Sequence, residues 1–221
     1  MIDVAIIDYN TSNLHSVQAA CRRAKLSSEI TSDYSQILDA RVAILPGVGS
    51  FGEAMTQLAK SKLDECIYSY VDSGKPLIGI CLGLQLLFET SEEFGNNKGL
   101  GLIKGNVQKF NFSKTGQLRY PVPHIGWNKL KQTASWKNTF LSNNTQNDLV
   151  YFVHSYYVEP DDAEVVLATT AYGEQEYCSV LQYKNIFATQ FHPEKSGQVG
   201  IRIYQNLKTR ISSRSIYENL I

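Results

Sequence analysis

Charge of one sign is what this sequence most plainly lacks. Its 221 residues carry 21 Lys plus Arg against 21 Asp plus Glu, a formal net charge of zero. Such a balance offers no electrostatic footprint for nucleic acid or for an anionic membrane surface. Long apolar runs are also missing. The longest, PLIGICLGLQLLFE from Pro76 to Glu89, is interrupted at Gln85, well short of the ~20 residues of a membrane-spanning helix. The opening MIDVAIIDYN has no basic leader and reads as a first strand, so no secretory signal is expected. Cysteine is scarce. Cys21, Cys66, Cys81 and Cys178 lie far apart with no CxxC pair, which argues against a disulfide or zinc framework and for a cytoplasmic chain with reduced thiols. Repeats, low-complexity tracts and linkers are absent, so one domain over residues 1–221 is expected, large enough to bury a sizeable core.

What is present alternates. Val4 to Asp8, Val42 to Leu45 and Leu77 to Ile80 are short, continuously apolar strands. Between and after them, Leu14 to Lys25, Glu53 to Val71 (with a break near Ser61) and Leu84 to Phe88 have helical spacing. Apolar strands separated by helices mark a mostly parallel sheet covered on both faces. From about Gly99 onward the pattern turns to strands: Gln108 to Phe112, Asn128 to Lys131, Tyr151 to Tyr157, Val165 to Thr170, Cys178 to Gln182 and Ile186 to Gln190. A last helix spans about Gly197 to Arg210. Asn111 to Tyr120 and Ser135 to Asp148 are polar and turn-rich and read as surface loops.

The apolar run holds a cysteine between two glycines, Gly79-Ile80-Cys81-Leu82-Gly83. Glycine inside regular structure costs about 0.5–1 kcal/mol against alanine, so some local geometry must require it. A strand ending at Ile80, then a nucleophile, then a helix, is the pattern of a nucleophile elbow, whose tight turn crowds the residues two before and two after. It places the thiol at the carboxyl edge of the sheet, where open α/β folds bind ligands, and at a helix N-terminus, whose free N–H groups favour a thiolate. The competing reading is a small buried hydrophobe, which is also how Cys21, Cys66 and Cys178 read.

A thiol nucleophile needs a base and a group to orient it. His192, in QFHPEKSG, follows a strand, and Pro193 biases it toward extended geometry. Residues two apart in an extended chain face the same way, so Glu194 can hold the His192 imidazole in the tautomer that takes a proton from Cys81. A metal-binding or merely exposed His–Glu pair is the alternative, although no ligand cluster with metal spacing lies near. His154, in YFVHSYY, is the rival base; His124 reads as structural and His15 as surface. LPGVGSFGE, from Leu45 to Glu53, opens a glycine-rich loop whose N–H groups can face a developing negative charge. A phosphate cradle would need the GK[ST] ending that this loop lacks, and a plain glycine-rich turn stays open.

PGVG, GICLG followed by Gln85, YFVHSY and QFHPEKSG, in this order, resemble the class I (triad-type) glutamine amidotransferases over essentially the whole chain. PHIGWN, from Pro123 to Asn128, and LPGVGSFGEAM resemble more narrowly the glutaminase subunits of imidazole glycerol phosphate synthases, which serve histidine biosynthesis. The resemblance implies a flavodoxin-like α/β fold, with extra antiparallel strands in the second half. It implies that Cys81 is the nucleophile, His192 the general base and acid, and Glu194 the orienting carboxylate. Backbone N–H groups near Gly49 and at Leu82 would hold the oxyanion, while Gly47, Gln85 and the backbone of His154, Ser155 and Tyr156 would bind glutamine. The family's cysteine attacks the glutamine side-chain amide, ammonia leaves, and water hydrolyses the γ-glutamyl thioester to glutamate. Neither metal nor cofactor is implied.

Ammonia freed into water is protonated and lost as a nucleophile. The family's partner is a (β/α)8-barrel cyclase that receives ammonia through its interior and makes imidazole glycerol phosphate and AICAR. Asn13, Trp127, Tyr151 and Lys195 match the family's interface positions, with core packing as the competing reading for Trp127. The isolated subunit is expected to be nearly inactive. One stretch departs from the pattern: DYNTSN stands where the family usually has DYGxGN, placing Asn10 and Ser12 at common glycine positions of the loop that feeds the partner-facing helix. Three alternatives follow. One is a paralogous subunit supplying ammonia for a surface-polysaccharide amino sugar, another a catalytically silent regulatory subunit, and the last a free-standing thiol hydrolase.

Overall fold

A computed structural model describes residues 2–10, 13–112 and 120–212. The changed position Ser12, its neighbour Thr11 and most of the loop expected at 111–120 lie outside the described residues. The elements run β1 (Val4–Ile7), α1 (Leu14–Arg23), β2 (Ser28–Thr31), α2 (Tyr34–Asp39), β3 (Val42–Gly47), α3 (Phe51–Ser61), α4 (Leu63–Asp72), β4 (Leu77–Cys81) and α5 (Leu82–Leu86). The second half continues with β5 (Phe88–Ser91), β6 (Asn97–Lys98), β7 (Ile103–Lys109), β8 (His124–Lys129), β9 (Lys131–Gln132), β10 (Leu149–His154) and β11 (Tyr156–Pro160). It closes with β12 (Val166–Tyr172), β13 (Gln175–Tyr183), β14 (Ile186–Thr189) and α6 (Gly197–Ser212).

Among the described residues twelve strands share one sheet, whose main path is β2-β1-β3-β4-β14-β13-β11-β7-β5-β6. The first five on that path pair in parallel, in the doubly wound order of flavodoxin-like folds. Beyond β14 the ladder turns antiparallel through β13, β11 and β7. The mostly parallel sheet with antiparallel additions expected for the second half is therefore the observed one. In the parallel strands alternate side chains serve opposite cores. Val4, Ile6, Val42 and Ile44 pack with Leu14, Val17 and Cys21 of α1 and Ile203 and Leu207 of α6. Ala5, Ile7, Ala43 and Leu45 pack with Ile37 of α2, Leu58 of α3 and Tyr70 of α4. Burial on both faces is why these strands read as unbroken apolar runs rather than alternating ones.

One expected boundary is present, and several readings change for physical reasons. The expected break near Ser61 is a left-handed Lys62, φ 56°, that separates α3 from α4. β2 and α2 carry no apolar run to betray them; β2, SEIT, is an edge strand with only Thr31 buried. Tyr151 to Tyr157 is not one strand. It divides at Ser155, where β10 leaves to pair with β8 in a separate two-stranded sheet while β11 enters the main one. Ser135 to Asp148 is not a surface loop throughout. Trp136, Phe140 and Leu141 are buried in the core beside Phe187, and the Trp136 indole donates to Leu167 O at 2.8 Å. Its polar residues serve turns within the loop, which masks three apolar anchors spaced among them.

Trp136→Ala should lower stability to urea unfolding by about 3–5 kcal/mol, the usual cost of emptying a large aromatic site. An unchanged unfolding midpoint would show that this loop contributes nothing to the core.

Candidate active site

β4 runs straight into α5, and Cys81 at the junction adopts φ 55°, ψ −108°. A β-carbon in that region costs of order 1–3 kcal/mol and persists only where its surroundings enforce it. The two glycines supply the reason. A β-carbon on Gly83 would fall inside the Leu45 carbonyl, and one on Gly79 would meet the Gly83 and Leu84 backbone at 3.1 Å. Helix, strand β3 and strand β4 thus touch backbone to backbone, and the strain they force lifts Cys81 from the sheet edge.

Around that thiol the chain brings its predicted partners together. His192 is 1% exposed and extended (φ −99°, ψ 96°), as the following proline requires. Its Nδ1 lies 2.7 Å from Glu194 Oε1, and the Glu194 side chain is fully buried. The pair meets because Pro193–Lys195 form a 3-10 turn, not by the alternation of an extended chain. His192 Nε2 makes no ordinary hydrogen bond and stands open toward the sulfur. Burial opposes charge on this ring, but the adjoining Cys81 and the Glu194 carboxylate outweigh it and raise His192 to about 10. His154 has no such freedom: its Nδ1 contacts Tyr156 O at 2.8 Å and its Nε2 contacts the Tyr177 hydroxyl at 3.2 Å. Burial pushes it down to about 3. With both nitrogens engaged and the ring neutral, it cannot act as the base. His124, 3.1 Å from the same Tyr177 hydroxyl, is pushed down to about 4 by burial. His15 is exposed on α1. Cys21, Cys66 and Cys178 are buried and their thiols pushed up to about 12, 11 and 12, chiefly by desolvation.

A cavity of about 290 Å³ opens over this group, lined by Cys81, His192, Gly49, Leu82 and Gln85 together with His154, Ser155 and Tyr156. Gly49 sits at φ 106° with open space around it, and Leu82 is the first residue of α5, where backbone N–H groups lack partners within the helix. Gly47 does not line the cavity. It pairs with Cys81 across β3 and β4, and a β-carbon there would lie 2.6 Å from the Tyr9 hydroxyl. Two residues escaped the sequence reading. Glu93 lines the cavity while its Oε2 accepts from Phe51 N at 2.5 Å, capping α3; nothing local in SEEF signals that. Gln190, fully buried, sends Nε2 to within 3.8 Å of Cys81 Sγ, and its place two residues before His192 in QFHPEKSG was the available signal.

The four residues matched to a partner interface are tied to the same site. The Asn13 amide donates to Glu194 Oε1 at 2.8 Å, Tyr151 O accepts from His192 N at 2.9 Å, and Lys195 N donates to His192 O at 3.0 Å. Trp127 is 54% exposed, which removes the core-packing reading, and meets Tyr151 edge-on at 5.8 Å. Ile125 and Leu149 are exposed on the same two strands.

Residues 5–207 match the family model described as glutamine amidotransferase class-I. The chain belongs to the class I glutamine amidotransferases. Curated relatives of this amidotransferase include imidazole glycerol phosphate synthase subunit HisH from Geobacillus kaustophilus, 47% identical over 92% of this chain and 94% of that one. The protein of the same name from Syntrophotalea carbinolica is 44% identical over 92% and 98%. Among solved structures, PurLQS from Thermotoga maritima superposes with a TM-score of 0.72 at 20% identity, covering 96% of this chain and all of that one. A glutamine amidotransferase from the same organism does so at 0.60 and 17%, covering 97% and 86%. These two show the shared fold. Among the described residues no group of three or more His, Cys, Asp or Glu is placed to hold a metal ion, and no helix is long and apolar enough to cross a membrane.

The two neutral histidines make acid stability a test of this amidotransferase site. His124 and His154 resist protonation in the fold and accept protons near pH 6.5 once unfolded. On these two rings the unfolded state therefore binds more protons below that pH, so their contribution to stability is full above about 6.5 and falls with pH toward 4 and 3. Between pH 6.5 and 5 the loss should approach about 1.4 kcal/mol per pH unit for each ring. Thermal unfolding across that window should show His124→Gln flattening the slope by roughly half. An unchanged slope would place His124 in a solvated site.

Proposed function

We propose that this amidotransferase is the glutaminase subunit of an imidazole glycerol phosphate synthase, with Cys81, His192 and Glu194 as its catalytic triad. The carrying observation is that the strained Cys81 and His192 line one cavity, with the buried Glu194 carboxylate held against the imidazole. Full-length relatives named as HisH subunits, at 44–47% identity, supply the pathway.

Glutamine enters with its side-chain amide over Cys81 and its α-ammonium toward the Glu93 carboxylate, the acidic group on the cavity wall. The Cys81 sulfur attacks the amide carbon. The oxygen that gains charge is held by the backbone N–H of Leu82 and one from the Val48–Ser50 loop at Gly49, an arrangement worth about 10²–10³ in rate per donor. His192, held by Glu194, gives its proton to the leaving nitrogen, so ammonia departs and a γ-glutamyl thioester remains. His192 then takes a proton from water, which attacks the thioester carbonyl; the C–S bond breaks, glutamate leaves and the thiol returns. Gln85 and the His154–Tyr156 backbone shape the floor against which glutamine rests.

The partner is a (β/α)8-barrel cyclase seated on the face that carries Asn13, Trp127, Tyr151 and Lys195. Exposed Ile125, Trp127 and Leu149 give that face an apolar centre. Its residues hydrogen-bond the triad's backbone and carboxylate, so docking there can set His192 in register with Cys81. A cytoplasmic location accords with reduced, buried thiols.

Glutamate release should be near zero for the chain alone and rise steeply on adding the cyclase with its phosphoribosyl-formimino-carboxamide substrate. No response to that cyclase would favour the surface-sugar paralogue, and full activity alone would remove the need for a tunnel. Cys81→Ala should lower glutamine-dependent product by about 10⁴-fold or more while sparing product made from added ammonium. Loss of both would make Cys81 a structural residue.

A further inference from the structure

Gln190 is a buried amide that the triad chemistry leaves unused. It is fully buried, its backbone N–H is held by Ser179 O at 2.9 Å, and its side chain reaches under the nucleophile. Its orientation follows from its neighbours. Gln85 Nε2 lies 2.9 Å from Tyr156 O and 3.2 Å from Gln190 Oε1. A backbone carbonyl can only accept, so the amino group of Gln85 must face it, and the Gln190 atom facing that amino group must be its oxygen. The Gln190 amino group is then turned to Cys81 Sγ at 3.8 Å. Reversing the amide would set oxygen against sulfur and two amino groups against each other.

The second contact of the sulfur is of opposite kind. Cys81 Sγ lies 3.9 Å from Val153 O, which can accept from a thiol S–H but repels a thiolate. Gln190 N–H suits the charged sulfur and does nothing for the thiol's proton. The sulfur is thus bracketed by an acceptor for one protonation state and a donor for the other.

We propose that Gln190 is a catalytic residue: its side-chain N–H holds the Cys81 thiolate, in the attacking state and again when thiolate leaves the thioester. Gln85 is the positioning residue that fixes the direction of the Gln190 amide. This role rests on Cys81 being the nucleophile. Its test reads the sulfur without glutamine, so its failure and the failure of the glutaminase reading stay separable.

The measurement is the rate of Cys81 alkylation by iodoacetamide against pH, followed by peptide mass spectrometry on the full chain, with Cys81→Ala as blank. In Gln190→Met, which keeps length and removes donor and acceptor, the pH of half-maximal alkylation should move up by about one unit, as expected for losing one hydrogen bond to a charged group. With the cyclase present, kcat should fall about tenfold and KM less than twofold, since the group lost stabilises sulfur rather than bound glutamine. Gln190→Glu keeps the acceptor for Gln85 and replaces the donor with a carboxylate; it should shift alkylation at least as far, and it decides the matter if the Met variant does not fold. An alkylation profile that stays at the wild-type pH in the Glu variant, or in a folded Met variant, would overturn the proposal and leave Gln190 as a brace for Gln85.

Discussion

The contact on which the site depends is between backbones: Gly83 of α5 set against the Leu45 carbonyl of β3. Any side chain at 83 would push the helix away. With glycine there, α5 begins immediately after β4, and Cys81 at the junction holds its strained conformation. The strain is sustained by the parallel ladder, since Leu45 pairs with Gly79 and Gly47 with Cys81. Apolar burial on both faces of that ladder, in the two cores divided by alternate residues of β1 and β3, provides the energy that holds the turn.

A second constraint joins the proposed general base, His192, to the outer surface. His192 receives nothing from its own strand; its N–H goes to Tyr151 O on β10, and its carbonyl accepts from Lys195 N and the Ser196 hydroxyl. Ser196 in turn accepts from Tyr151 N at 3.0 Å. Asn13, left-handed at the start of α1, reaches Glu194 from the other side. The β8–β10 ribbon stands apart from the main sheet, bearing Trp127 outward and gripping His192 inward. Backbone and Ser196 hydrogen bonds thus connect the ribbon that exposes Trp127 to the imidazole of His192.

The sequence was most legible where chemistry and geometry demand rare residues together. The glycines at 79 and 83 pointed to an elbow because nothing else in an apolar run needs them, and Pro193 pointed to an extended His192. Continuous strands flagged the parallel half. Legibility failed where function rests on ordinary residues placed by tertiary contacts. Glu93 looks like any surface glutamate until α3 is seen to start against it, and Gln190 looks like any glutamine in a strand end. The split at Ser155 leaves no mark because both halves, β10 and β11, are apolar and aromatic and differ only in which sheet they join. Trp136, Phe140 and Leu141 were hidden by the polar residues that turn the chain between them.

The central claim is that Cys81 is the single nucleophile of this chain and that it attacks a glutamine-shaped molecule. The direct measurement is to treat the chain, with the proposed cyclase partner added, with the diazo-ketone analogue of glutamine, whose carbon alkylates an attacking thiolate with loss of dinitrogen, and to locate the adduct by peptide mass spectrometry. One adduct per chain is predicted, on Cys81, suppressed by excess glutamine and lost in Cys81→Ala. An adduct on another residue, or labelling that excess glutamine does not suppress, would contradict it.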